Sequence, residues 1–78
     1  MLINAGYGNY VVSDKITAIV DFDSAPAKRL VREAKKAGLL IDATRGHKTR
    51  SVIMLVNNQI IACANLPETI AEKLGGIS

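Results

Sequence analysis

Apolar residues along this chain come in short bursts separated by Gly, Pro, Asn and Asp, and the spacing within each burst predicts an element. Ile16, Ala18, Val20 and Phe22 alternate with Thr17, Ile19 and Asp21, a period of two that predicts a strand with one strongly apolar face. The period then changes. Ala27, Leu30, Val31, Ala34 and Ala37 recur every three or four positions and form one stripe of a helix. Ser24 followed by Pro26 frames its start, because proline's missing N–H is no loss in a first helical turn, and Gly38 stops it. Residues 39–43, 51–56 and 59–64 read as further strands, with Asn57-Asn58 fitting a two-residue hairpin turn because Asn tolerates the left-handed conformation. Ahead of all these, residues 2–5 and 10–12 flank Gly6-Tyr7-Gly8-Asn9, a turn whose glycines take positive φ without a Cβ clash. Asn65 and then Pro67 open a short second helix with Ile70, Ala71 and Leu74 on one face, ended by Gly75-Gly76 before a frayed terminus. The order β-β-β-α-β-β-β-α predicts an α+β fold: a small, mostly antiparallel sheet with one main helix and a short C-terminal helix. At 78 residues the chain, 1–78, forms one domain around one core.

Composition adds a reason to expect assembly. Of all residues 49% are apolar but only 4% aromatic, more hydrophobic surface than so small a core needs, which predicts subunit contacts. A disulfide within the chain is excluded because Cys63 is the sole cysteine; one His and one Cys cannot supply a zinc site, so no metal or other cofactor is expected. Cys63, alternating with Ile61, reads as a small buried residue. The N-terminus lacks a basic region followed by an apolar run, and the longest apolar run, residues 52–56, is far short of a membrane helix. With an unpaired cysteine this predicts a soluble protein of a reducing cytoplasm.

Charge brings the first clue to function. Eight of the ten Lys and Arg residues fall between positions 24 and 50 against only Glu33 and Asp42, a formal +6, while the remainder carries −3. Such a basic block is the footprint of a polyanion-binding module. Its densest part is Thr44-Arg45-Gly46-His47-Lys48-Thr49-Arg50, read as the tip of a hairpin, which assembles the parts of phosphate recognition: forked guanidinium groups, a point charge, hydroxyls and backbone N–H groups beside a glycine. The bland reading is a solvated basic turn. On the helix, Lys28, Arg29, Arg32, Lys35 and Lys36 lie off the apolar stripe, with Lys28, Arg32 and Lys36 on one face; Lys28, Arg29 and Arg32 are the secondary contact candidates. Asp21, Asp23 and Asp42 stand at strand ends, where turn formation and capping account for them. Gly6-Tyr7-Gly8-Asn9 lacks the helix and the Gly-Lys-Ser/Thr ending of a phosphate loop, and no catalytic constellation includes the sole histidine, so neither an enzyme nor a small-molecule substrate is expected. No aromatic accompanies the basic loop in sequence, which favours duplex DNA over single strands held by stacked bases.

These segments carry a family resemblance. Gly-Tyr-Gly-Asn at 6–9, Ser-Ala-Pro-Ala-Lys-Arg at 24–29, Gly-Leu-Leu-Ile-Asp-Ala-Thr at 38–44, Gly-His-Lys-Thr-Arg at 46–50 and Pro-Glu-Thr at 67–69 resemble the bacterial extracellular matrix regulatory protein A (RemA) family over nearly the whole chain. The resemblance implies a transcriptional regulator of biofilm matrix genes with a fold similar to LytTR DNA-binding domains. It further implies assembly into rings whose basic outer surface bends DNA. Carried onto this sequence, the family's DNA-contacting positions are Lys15, His47 and Lys48. Regulators of the family tend to have arginine at all three, so here point-charge contacts replace bidentate ones. Arg45 adds a charge where many relatives have none, and Arg50 matches the family's Thr-Arg pair, as a DNA contact or a subunit contact. The expected partners are therefore double-stranded DNA and further copies of the chain, with no membrane. The alternative is an oligomeric interaction module whose basic face meets an acidic protein.

Overall fold

Alternation along the strands sorts the apolar residues onto two faces of one sheet. The computed structural model describes residues 1–75 and has nine elements among them, one of them a 3₁₀ turn at Ser13–Lys15. The strands are β1 (Leu2–Gly6), β2 (Asn9–Val12), β3 (Ile16–Asp21), β4 (Leu40–Asp42), β5 (Ser51–Leu55) and β6 (Ile60–Cys63); the helices are α1 (Ala25–Ala37) and α2 (Pro67–Lys73). The predicted α+β order holds, but the strands divide between two sheets: a β1-β2 hairpin and a four-stranded sheet in the order β3-β5-β6-β4.

Within the larger sheet β3 and β6 flank β5 antiparallel, whereas β4 runs parallel to β6 at the edge. The segment after β4 is therefore no hairpin tip. It leaves the edge strand, crosses the end of β6 and enters β5, and both its ends are tied to β6: Ala43 N–H donates to the Ala62 carbonyl at 2.9 Å and Arg50 N–H to the Cys63 carbonyl at 2.8 Å.

One face of the sheet is covered by α1. Ala27 and Ala34 let the helix approach closely, packing with Val31 on Val52, Ile60 and the partly buried Val20, Phe22 and Met54. The other face is covered by the β1-β2 hairpin and α2, whose Ile3, Ala5, Val11 and Ile70 close over Ile53, Ile61 and Cys63. Cys63 is fully buried, its thiol 3.1 Å from the Ala5 carbonyl, as expected of a small core residue.

β3 serves both cores through a bulge. Ile16 opposes Leu55 and Ala18 opposes Met54, which leaves Thr17 as the extra residue, its hydroxyl donating to the Met54 carbonyl at 3.0 Å. Ile16 consequently packs with Ile19 on the hairpin side, while Val20 and Phe22 face α1. The alternation expected through 16–22 is broken at Thr17, and Ile16 lies on the opposite face from Val20.

Helix boundaries follow the sequence signals. Ser24 accepts the Ala27 N–H at 3.3 Å, Pro26 sits in the first turn, and Gly38 at φ 74° ends α1, with Leu39 N–H returning to the Ala34 carbonyl at 2.8 Å. The hairpin between β5 and β6 is one residue wider than expected. Leu55 and Gln59 close it, Asn58 N–H donates to the Leu55 carbonyl, and only Asn58 takes positive φ, at 69°. At α2 the cap position is Leu66, which offers no side-chain bond, while the Asn65 carbonyl accepts from the buried Ser51 hydroxyl at 2.8 Å. The expected stop at Gly75-Gly76 and the frayed terminus lie, beyond Gly75, outside the described residues.

Candidate nucleic-acid interface

The antiparallel run of β3 and β5 puts the end of β3 beside the start of β5, and the start of α1 follows β3 directly, so three segments converge at one end of the sheet. Residues 43–50 arrive there from β4. Asp42 fixes their departure: its Oδ1 accepts both the Thr44 N–H at 2.9 Å and the Thr44 hydroxyl at 2.6 Å. These bonds, the hydroxyl's first, hold the Asp42 carboxyl below its ordinary pKa, and the charge of Lys35 adds to the effect. Thr44 is buried; the next four residues are not. Thr44 to His47 forms a tight turn closed by His47 N–H on the Thr44 carbonyl at 3.0 Å, with Arg45 at φ 54° and Gly46 at φ 81°. Two successive positive φ values are the signature of a type I′ turn, whose first position favours Gly, Asn or Asp and strains a longer side chain such as that of Arg45.

Beyond the turn the backbone re-enters the sheet. Arg50 is pinned from both sides, its N–H on β6 and its carbonyl accepting the Phe22 N–H at 3.1 Å. Its side chain therefore starts from a fixed point. With Lys48 and Thr49 it lines an open cleft of about 300 Å³ whose opposite wall is Asp21, Phe22, Asp23 and Lys28, with Leu66 alongside. Lys28 also stands 6.0 Å from the centre of the Phe22 ring, the outer limit of a cation–π contact. Asp21 and Asp23 do the work expected of them, Asp21 Oδ1 accepting the Asp23 N–H at 2.8 Å ahead of the helix. They also place two carboxylates among the cations.

The residues singled out in sequence are thus divided. Arg45, His47, Lys48 and Arg50 share one end of the molecule, and of the helix candidates the cleft brings in Lys28 but not Arg29 or Arg32, which are exposed farther along α1. Lys15 is at the other end. Its carbonyl accepts the Val56 N–H at 2.9 Å, a whole six-residue strand from the loop, roughly 20 Å at the usual rise.

One residue of this end escaped the sequence reading. Tyr7 stacks on His47, ring centroids 4.9 Å apart and planes 6° from parallel, so an aromatic does accompany the basic loop. The glycines flanking Tyr7 signalled a turn, but nothing in their spacing signalled what it packs against.

Comparison with known proteins adds what geometry alone does not. Residues 2–74 match the family model described as RemA-like, extracellular matrix regulatory protein A-like. A relative from Desulfosudis oleivorans is 49% identical over 77 residues, covering 99% of this chain and 79% of its own length. One from Fervidobacterium nodosum is 53% identical and one from Thermotoga maritima 54%, each over 72 residues and 92% of this chain, covering 77% and 78% of their own lengths. All three are named "Putative regulatory protein". With a family model spanning nearly the whole chain and relatives at about half identity, the chain belongs to the RemA-like family of regulatory proteins.

Proposed function

We propose that this chain is a cytoplasmic, homo-oligomeric DNA-binding regulator of transcription, each subunit laying the basic end of its sheet on the phosphate backbone of a duplex. The observation that carries the reading is the meeting of Lys28, Lys48 and Arg50 around one open cleft, with Arg45 and His47 on the adjoining turn. Backbone hydrogen bonds fix Arg50 at the entry to β5, Lys28 in the first turn of α1 and His47 at the close of its turn, so these groups need little ordering on binding. A few phosphate contacts per subunit give weak, salt-sensitive binding, which linked copies multiply through effective concentration.

The position of Lys15 fits a head-to-tail assembly. A contact that sets Lys15 of one subunit beside the loop of the next is heterologous, and such contacts close into a ring when their rotation permits. The outer face of the β1-β2 hairpin supports assembly: Leu2 pairs with Val12, Tyr10 lies nearby, and all three are exposed. DNA wrapped on a ring would select sequences that bend easily. The family's description names an extracellular matrix regulatory protein, which supports matrix genes as the targets. Tyr7 gives one half-exposed ring with one face against His47, not the row of rings that single strands require, which favours the duplex.

Binding to duplex DNA across a salt series, with solution mass measured in parallel, tests this. Log K falls with log salt at a slope of about −0.9 per neutralised phosphate, and the joint substitution Arg45→Ala with Lys48→Ala weakens binding while leaving the mass of the oligomer unchanged. Absence of binding at about 50 mM salt by protein confirmed oligomeric overturns the reading and favours an acidic protein as partner.

A further inference from the structure

Tyr7 occupies a position that local chemistry would give to another residue. It is the first central residue of the β1-β2 turn, with φ 53° followed by Gly8 at φ 81°, the type I′ pattern in which Asn or Gly is preferred at that place. A bulky residue held at positive φ is a genuine outlier, and such strain persists only where its surroundings enforce it. The hairpin does not need the ring. Asn4 Oδ1 accepts the Gly6 N–H at 2.7 Å, Asn9 Nδ2 donates to the Gly6 carbonyl at 3.0 Å, and Gly6 pairs with Asn9, so side chains other than Tyr7 close the turn. The ring stays 44% exposed and lies flat on His47. Both stacked residues belong to tight turns with paired positive φ values, Tyr7-Gly8 and Arg45-Gly46, in segments forty positions apart. The stack clamps one turn to the other.

The geometry points to Tyr7 as the positioning residue of the basic loop: by stacking on His47 it holds the turn of Arg45 and Gly46 in its strained conformation and sets the direction from which His47 and Lys48 leave the molecule. This rests on the DNA reading above, which it deepens. Without the ring, residues 44–48 keep their anchors at Asp42 and Arg50, but the imidazole loses the surface that fixes its plane, and part of the loop's order must be imposed when DNA binds.

The unusual backbone supplies a clean test. Tyr7→Asn places a residue that tolerates positive φ in the turn, so it deletes the ring while keeping or raising Tm. The expected result is an unchanged or higher Tm, an unchanged oligomer mass, and duplex DNA binding weakened at least about two- to tenfold, the worth of one stacked aromatic pair. Tyr7→Phe, which retains the stacking face, restores binding. In a His47→Ala background Tyr7→Asn has no further effect, because Tyr7 acts through His47. Should Tyr7→Asn fail to fold, the Tyr7→Phe and His47→Ala arms decide: a Phe variant that stays folded but binds as weakly as the His47→Ala protein overturns the role. Native-strength binding by a folded Tyr7→Asn protein, under conditions where Lys48→Ala weakens it, overturns the role of Tyr7 alone. No binding by the unsubstituted protein overturns this inference and the DNA reading together.

Discussion

Asp42 is an exposed carboxylate with a buried client, the Thr44 hydroxyl and N–H, and its lowered pKa links that contact to pH. A carboxyl depressed in the folded state contributes stability that is fully present above its unfolded pKa, near 3.9, and is lost as pH falls through the folded value. Asp42→Asn keeps an acceptor oxygen but cannot take up that proton. Acid unfolding should therefore be shallower for Asp42→Asn than for the native chain below about pH 4, measured by circular dichroism at fixed salt. The sequence made Asp42 legible as a turn former because Asp bonding to a backbone N–H two residues on is local chemistry. Tyr7 was not legible in the same way. Its partner is a histidine forty positions distant, and no local pattern encodes a contact that exists only after the sheet has formed.

Among the elements, α1 shows how far local rules reach: Ser24, Pro26 and Gly38 each sit where capping physics places them. The strands show where such rules stop. β4 looks like half of a hairpin with β5, yet it pairs in parallel with β6, a choice made by burial against α1 and not by any turn residue. Thr17 likewise reads as the polar beat of an alternating strand, whereas its bulge is set by register with β5. α2 offers a direct test of capping, because Leu66 leaves its first turn without a side-chain acceptor. Leu66→Asp should raise stability by about 0.5–1 kcal/mol in urea unfolding. It also places a carboxylate on the cleft that holds Lys28, Lys48 and Arg50, so the same variant should bind DNA more weakly despite being more stable.

Over the whole molecule, the separation of Lys15 from the loop is the feature with the sharpest outcome. If neighbouring subunits complete one another's contact surface, a Lys15→Ala protein and an Arg45→Ala, Lys48→Ala protein, each weak alone, should recover part of the binding when mixed and reassembled. Mixed assemblies then contain junctions in which both sides are native; titration of duplex DNA with each protein and with the mixture reads this directly. A surface built within single subunits gives no recovery. The path of residues 43–50 bears on how such a protein diversifies. Both ends of that segment are bonded to consecutive carbonyls of β6, so it straddles the strand like a saddle, spanning two inter-strand spacings, roughly 9.6 Å. Six residues between those fastenings have chain to spare. Thr44, Gly46 and His47 are committed to Asp42, to positive φ and to Tyr7, but the exposed side chains at 45 and 48 can change without pulling on either strand. That makes the saddle a partly replaceable cassette: one scaffold, kept intact, onto which evolution or an engineer can fit a different reading head.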